Sequence, residues 1–245
     1  MKKYLLSKSG KAVQWPLVVC GMLFFSACDD VQCIKGNGNE ERRTLTLQPF
    51  SELEANGDFK VYITQGEPQK VEVVGESNIL SDLSTQVRNG KWEIEHESCV
   101  RRAEPVEVYI TMPEVKALYL NGSGLINSEN KLDVEELPVQ VNGSGKIDLE
   151  LDASKVITRV TGSGEVWLSG RTAMQKINMS GSGRAATADL AAEDVTVNLS
   201  GSGEAEVRAS KSLTADVSGS GKVYYYGNPA VVSTNISGFG KVVKR

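Results

Sequence analysis

The tripeptide Gly-Ser-Gly begins at Gly122, Gly143, Gly162, Gly181, Gly201 and Gly219, and a seventh copy reads Gly238-Phe239-Gly240. Successive copies start 21, 19, 19, 20, 18 and 19 residues apart. Self-similarity at such a spacing marks a chain that stacks one structural unit on the next. Alignment on the tripeptide exposes two apolar columns. Two residues before the first glycine stand Leu120, Val141, Val160, Met179, Leu199, Val217 and Ile236. Two residues after the last glycine stand Ile126, Ile147, Val166, Ala185, Ala205, Val223 and Val242. Polar residues alternate with both columns, and a period of two is that of a β-strand. No window shows a helical stripe, although Ala185 to Ala192 is alanine-rich enough to read as either.

A repeat of about 19 residues spans at most about 63 Å when extended, enough for two or three short sides of one coil. One coil alone leaves its apolar side chains in water. Coils stacked at about 4.8 Å bring equivalent residues one above another and close the inward ones into a continuous core. The expected fold is therefore an all-β parallel β-helix, a β-solenoid of about 19 residues per coil. A set of antiparallel hairpins or a propeller is the alternative; a propeller blade needs about 40 residues, and two repeats per blade leave too few blades. Its corners are Gly122 with Gly124, Gly143 with Gly145, Gly162 with Gly164, Gly181 with Gly183, Gly201 with Gly203, Gly219 with Gly221, and Gly238 with Gly240. Each should need a positive φ or lie too close to the next coil for a Cβ.

Regular coils are expected over residues 116–242. Residues 44–115 are strand-rich but less regular and should supply looser coils that cover the N-terminal end of the core. An earlier relative of the corner, Asn56-Gly57-Asp58, lies in this region. Residues 28–43, with Gly36-Asn37-Gly38-Asn39, read as a tether.

The first 27 residues belong to export rather than fold. Lys2, Lys3, Lys8 and Lys11 precede an apolar stretch from Trp15 to Phe25, too short for a membrane-spanning helix of roughly 20 residues. Phe25-Ser26-Ala27-Cys28 then resembles the cleavage box of a lipoprotein, in which Cys28 is acylated and becomes the new N-terminus. Phe25 departs from the usual leucine; an uncleaved anchor or a plain signal peptide is the alternative. Cleavage removes four lysines and no acid, which leaves 23 basic against 31 acidic residues and a net charge near −8. That balance argues against nucleic acid, and against anionic headgroups, as the main partner. The lipid would supply the membrane contact. Cys33 and Cys99 are then the cysteines left for an oxidising compartment, where they can pair if the fold brings them together.

These features resemble the adhesin family known as the head GIN domain, an autotransporter-adhesin-like module of exported bacterial proteins. The resemblance covers roughly residues 45–242. It rests on the serial corners and on Gly57-Asp58-Phe59-Lys60-Val61-Tyr62-Ile63-Thr64-Gln65-Gly66. It implies a right-handed β-helix over residues 44–245, on a secreted or lipid-anchored protein of a Gram-negative-type cell envelope, facing the periplasm or the cell surface. It brings no catalytic residue and no cofactor.

Some β-helices cleave polysaccharides with clustered carboxylates. Asp148, Glu150 and Asp152 form the best such cluster here, but Trp167 and Ser169 follow in the next coil, so no second acidic row stands beside it. The corners lack the aspartate of calcium-binding repeats, so no metal is expected. A lone histidine, His96, is expected on the surface and makes an imidazole-based site improbable. The expected function is thus binding, adhesion or scaffolding without catalysis, toward a glycan or an envelope protein. A polysaccharide-active enzyme or carbohydrate-binding module is the alternative. Trp167, Tyr224 and Tyr226 are the candidate surface contacts, the tryptophan standing about three coils from the tyrosines. Two ladders are expected along the stack. Small polar residues before and within the corners should hydrogen-bond from coil to coil. Lys146, Glu165, Arg184, Glu204 and Lys222 should alternate in sign along one line. Phe239 should cover the last coil's core or meet a second molecule in an end-to-end oligomer.

Overall fold

A computed structural model describes residues 33–101 and 103–245 of the chain. The expected signal peptide and Cys28 lie outside the described residues. The rest is a β-solenoid whose coils pair in parallel. Each regular coil is one long extended run from corner to corner: Lys146–Gly162, Glu165–Gly181, Arg184–Gly201 and Glu204–Gly219. The register follows the repeat, with Gly143, Gly162, Gly181, Gly201, Gly219 and Gly238 directly in line. The alanine-rich stretch is strand as well.

Both apolar columns point inward. Leu120, Val141, Val160, Leu199 and Val217 are buried, as are Ile126, Ile147, Val166, Ala185, Ala205 and Val223. Val, Ile and Leu fill the interior, and three polar residues, Thr158, Gln175 and Thr187, sit fully buried among them. Gln175 Nε2 donates to Thr187 Oγ1 at 2.8 Å, and that hydroxyl donates to the backbone carbonyl of Glu206 at 2.8 Å. These bonds give the Gln175 amide N–H and the Thr187 hydroxyl the partners that burial requires.

The corners need glycine for two reasons. At Gly162 φ is +106°, a region L side chains rarely adopt, and an added Cβ would lie 2.7 Å from the carbonyl oxygen of Gly143 in the preceding coil. At Gly164 space alone excludes a side chain, since a Cβ would stand 2.5 Å from Val141 Cγ1 and 2.8 Å from the Gly145 oxygen. Between them Ser163 donates its backbone N–H to Gly143 O at 2.9 Å, and Glu165 donates to Gly145 O at 2.9 Å. Corner amides are thus satisfied by backbone rather than by the expected serine hydroxyls. The side-chain ladder takes a narrower form: Asn142 Nδ2 donates to Asn121 Oδ1, and Asn121 Nδ2 to Asn56 Oδ1, both at 2.8 Å.

The N-terminal region departs from sequential stacking. Glu52–Gly57 and Lys60–Gln65 form a full coil that pairs with Ala117–Gly122 and Leu125–Ser128 on one side. On the other side it pairs with Lys91–Ile94 and Glu107–Met112, which come later in the chain. The first coil in sequence is therefore the second in space. Beyond it, Lys70–Glu76 runs antiparallel to Glu107–Met112, and Glu40–Leu45 runs antiparallel to Lys70–Glu76. One helical turn, Ser77–Leu80, buries Ile79 and Leu80 under this cover. The sequence showed no helical period because four residues are too few to carry one.

The expected tether over 28–43 gives way to folded chain from Cys33 onward. Ile34–Lys35 pairs with Val100–Arg101, Glu40–Leu45 belongs to the end cover, and Cys33 is bonded to Cys99 with Cα atoms 4.5 Å apart. His96 is half-buried rather than freely exposed. It packs against Phe59 with ring centroids 4.9 Å apart, and burial lowers its pKa below the usual histidine value against the opposing pull of Asp82 and Asp58. The far end of the stack is different. Val232 and Ile236 continue the inward columns yet are 44% and 43% exposed, and Phe239 is 88% exposed. Phe239 therefore does not cover the core. It occupies the middle corner position, which points outward in every coil.

Candidate functional site

Two outward faces meet at each corner, and the period-two alternation sets what they carry. On the face before the corner, three residues ahead of the first glycine, stand Arg159, Asn178, Asn198, Asp216 and Asn235, in register. Beside them run Thr161, Ser180, Ser200, Ser218 and Ser237. The two columns line a groove of about 380 Å³ that runs across these coils. Asn198 Nδ2 donates to Asn178 Oδ1 at 3.1 Å, so neighbouring coils hold each other's amides in place. Sequence reasoning took the serine column as structural and missed the column beside it. The signal was available one step further from the glycine, as Tyr119, Gln140, Arg159, Asn178, Asn198, Asp216 and Asn235, all polar or amphipathic.

The face after the corner carries charge and aromatic rings. Lys146, Glu165, Arg184, Glu204 and Lys222 lie in one line, as their spacing requires. The ion pairs, however, run partly across that line. Lys146 reaches Asp148 two residues along its own strand at 2.9 Å, and Arg184 contacts Glu206 more closely than Glu204, which is 3.8 Å away. The adjoining column reads Tyr109, Tyr62, Asn127, Asp148, Trp167, Ala186, Glu206 and Tyr224. Tyr62 and Tyr109 stack at 5.0 Å.

Trp167 and Tyr224 thus share one column three coils apart, with Ala186 and Glu206 between them, and they do not form one site. Cations already lie over each candidate ring. Lys146 and Arg184 are 4.6 Å and 5.4 Å from the Trp167 centroid, Arg245 is 4.3 Å from Tyr224, and Arg208 is 5.6 Å from Tyr226. Such contacts hold the rings against the wall and occupy the face a sugar would use.

The acidic cluster is equally engaged. Arg171 lies 2.7 Å and Lys131 3.3 Å from Asp152, and the Arg171 hydrogen bond holds that carboxyl below its usual pKa. A carboxylate kept ionised in this way is a poor general acid. At the covered end, Lys91 bridges Glu54 at 2.5 Å and Glu93 at 3.0 Å, and the two carboxylates, Glu54 first, raise its pKa. This knot joins the two outermost parallel coils.

A family model described as "Putative auto-transporter adhesin, head GIN domain" matches residues 49–229. The chain belongs to the head GIN domain family. None of the curated proteins matches it. Among solved structures, a putative adhesin from Bacteroides fragilis is 24% identical, with a TM-score of 0.83 over 86% of this chain and 100% of its own. A protein from Parabacteroides distasonis described as a putative lipid binding protein is 25% identical, with a TM-score of 0.74 over 87% of this chain and 100% of its own. A putative adhesin from Parabacteroides merdae is 20% identical, with a TM-score of 0.73 over 86% of this chain and 98% of its own. These likenesses share the solenoid.

Proposed function

We propose that this head GIN domain protein is an exported cell-envelope module, acylated at Cys28, that binds a glycan or an envelope protein without catalysis. The groove before the corners carries this reading. Its amide, carboxylate, guanidinium and hydroxyl groups repeat at about 4.8 Å on a rigid wall, where fixed donors and acceptors suit a ligand that itself repeats. The family name and those of similar structures point to adhesion. The short apolar leader, the small residues before Cys28 and the disulfide are in keeping with export.

A glycan array probed with residues 29–245 tests the binding reading. A hit that is lost in Asn178→Ala/Asn198→Ala, with unchanged thermal unfolding, supports the groove as the site. Binding that survives the double substitution moves the site elsewhere, and turnover of a bound glycan by the pure protein removes the non-catalytic reading. Mass spectrometry of the membrane fraction tests the anchor: a diacylated or triacylated N-terminus at Cys28 is expected, and a soluble protein that retains residues 1–27 refutes it.

A further inference from the structure

We propose that the open end of the solenoid, formed by Val231–Gly238 and Lys241–Lys244, is a docking tip for an anionic lipid surface. The inward columns are sealed in the coil before it, where Leu213, Ala215 and Val217 are at most 2% exposed. In the last coil the same columns surface as Val232 and Ile236, joined by Val231 at 59% and Phe239 at 88% exposure. Exposed apolar residues gathered at one end mark a contact surface more often than scattered ones do.

Charge selects the partner. The chain is acidic overall, yet after Asp216 it contains no aspartate or glutamate, and Lys222, Lys241, Lys244 and Arg245 all follow. These four side chains lie on the last two coils. Lys222 is directly in line with Lys241, and Lys241, Lys244 and Arg245 are exposed. The overall charge argues against anionic headgroups, but the charge is segregated, and this tip is locally basic. Valines, an isoleucine and a phenylalanine beside lysine and arginine suit shallow insertion at a headgroup boundary, where water and headgroups still satisfy the open strand edge.

A second copy of the chain fits less well. Two copies meeting through this end about a two-fold axis would oppose like charges. A head-to-tail contact would meet the other end, whose outer strand Glu40–Leu45 reads Glu-Glu-Arg-Arg-Thr-Leu and offers a charged edge. The tip lies about eight coil steps, roughly 38 Å, from the end that Cys33 pins. A protein held by its N-terminus could therefore touch a second surface.

The inference is independent of the groove and of acylation, and residues 29–245 lack Cys28. This protein is expected to co-float with phosphatidylcholine vesicles containing about one-third phosphatidylglycerol, and far less with phosphatidylcholine alone or at high salt. Phe239→Ser, which restores the residue found at the other corners, combined with Lys241→Gln and Lys244→Gln, should lower the bound fraction by more than about tenfold. Thermal unfolding should stay unchanged. No flotation with the anionic vesicles overturns the proposal, as does flotation that the triple variant does not reduce. A dimer in vesicle-free solution that Phe239→Ser dissociates also overturns it and assigns the end to a second copy.

Discussion

Replacing Gly162 by alanine adds one carbon where two coils approach too closely to leave room for it. The backbone there has φ +106°, and that carbon would meet the Gly143 carbonyl oxygen at 2.7 Å and its carbonyl carbon at 3.4 Å. These are backbone atoms inside a hydrogen-bonded ladder, so no side chain can swing away. A residue held in a sparsely populated backbone region costs about 1–3 kcal/mol, and overpacking a tight contact costs about 1–3 kcal/mol more. The variant should therefore lose at least about 2 kcal/mol, which for a domain of this size lowers Tm by about 4 °C or more. Gly164→Ala isolates the steric part, because its Cβ meets Val141 Cγ1 and the Gly145 oxygen without a positive φ. Ser163→Ala is the control. Its side chain is exposed, only its backbone N–H bonds to the previous coil, and the loss should stay within about 0.5 kcal/mol. Thermal and urea unfolding of the three variants, followed by circular dichroism, reads the result. A Gly162→Ala protein as stable as the Ser163→Ala control would refute the account of the corners.

Three further outcomes are expected. Burial depresses the folded-state pKa of His96, so its contribution is complete above the unfolded value of about 6.5 and is lost as pH falls below it. Urea midpoints should fall between pH 7.5 and 5 more steeply in the wild type than in His96→Gln, and parallel slopes would contradict this. Thr187→Val strands Gln175 Nε2 and the Glu206 carbonyl and should cost about 1–3 kcal/mol, whereas Gln175→Leu/Thr187→Val should recover much of that loss. A double variant less stable than the single one would show that the polar pair is needed. Arg184→Glu adds a third acid in line between Glu165 and Glu204; it should cost about 1 kcal/mol or less, and the difference should shrink in salt. A salt-independent loss would point to packing on Trp167 instead.

How much of this was legible follows from the range over which each feature is encoded. Corners, inward columns, strand period and the charge line all repeat at about 19 residues. Each coil stacks on an equivalent of itself, so aligning the sequence reproduces the register of Gly143 on Gly162 and of Lys146 on Glu165. The amide column of the candidate groove was present in the same alignment and needed only a look one position further out. The N-terminal stack order was not encoded this way. Lys91–Ile94 lies outside Glu52–Gly57 because the chain folds back after Lys70–Glu76, a pairing between unlike segments that no repeat announces. The burial of His96 against Phe59 and the meeting of Cys33 with Cys99, 66 residues away, depend on that return. Likewise, Trp167 reads in sequence as an exposed aromatic, and the cations over its ring come from the coils on either side and from its neighbouring column. By itself the sequence determined the repeating wall, because its contacts join like to like at an interval of 18 to 21 residues. The tertiary structure decided the two ends, one folded over by antiparallel strands and one left apolar and basic, because an end is where the repeat no longer supplies a partner.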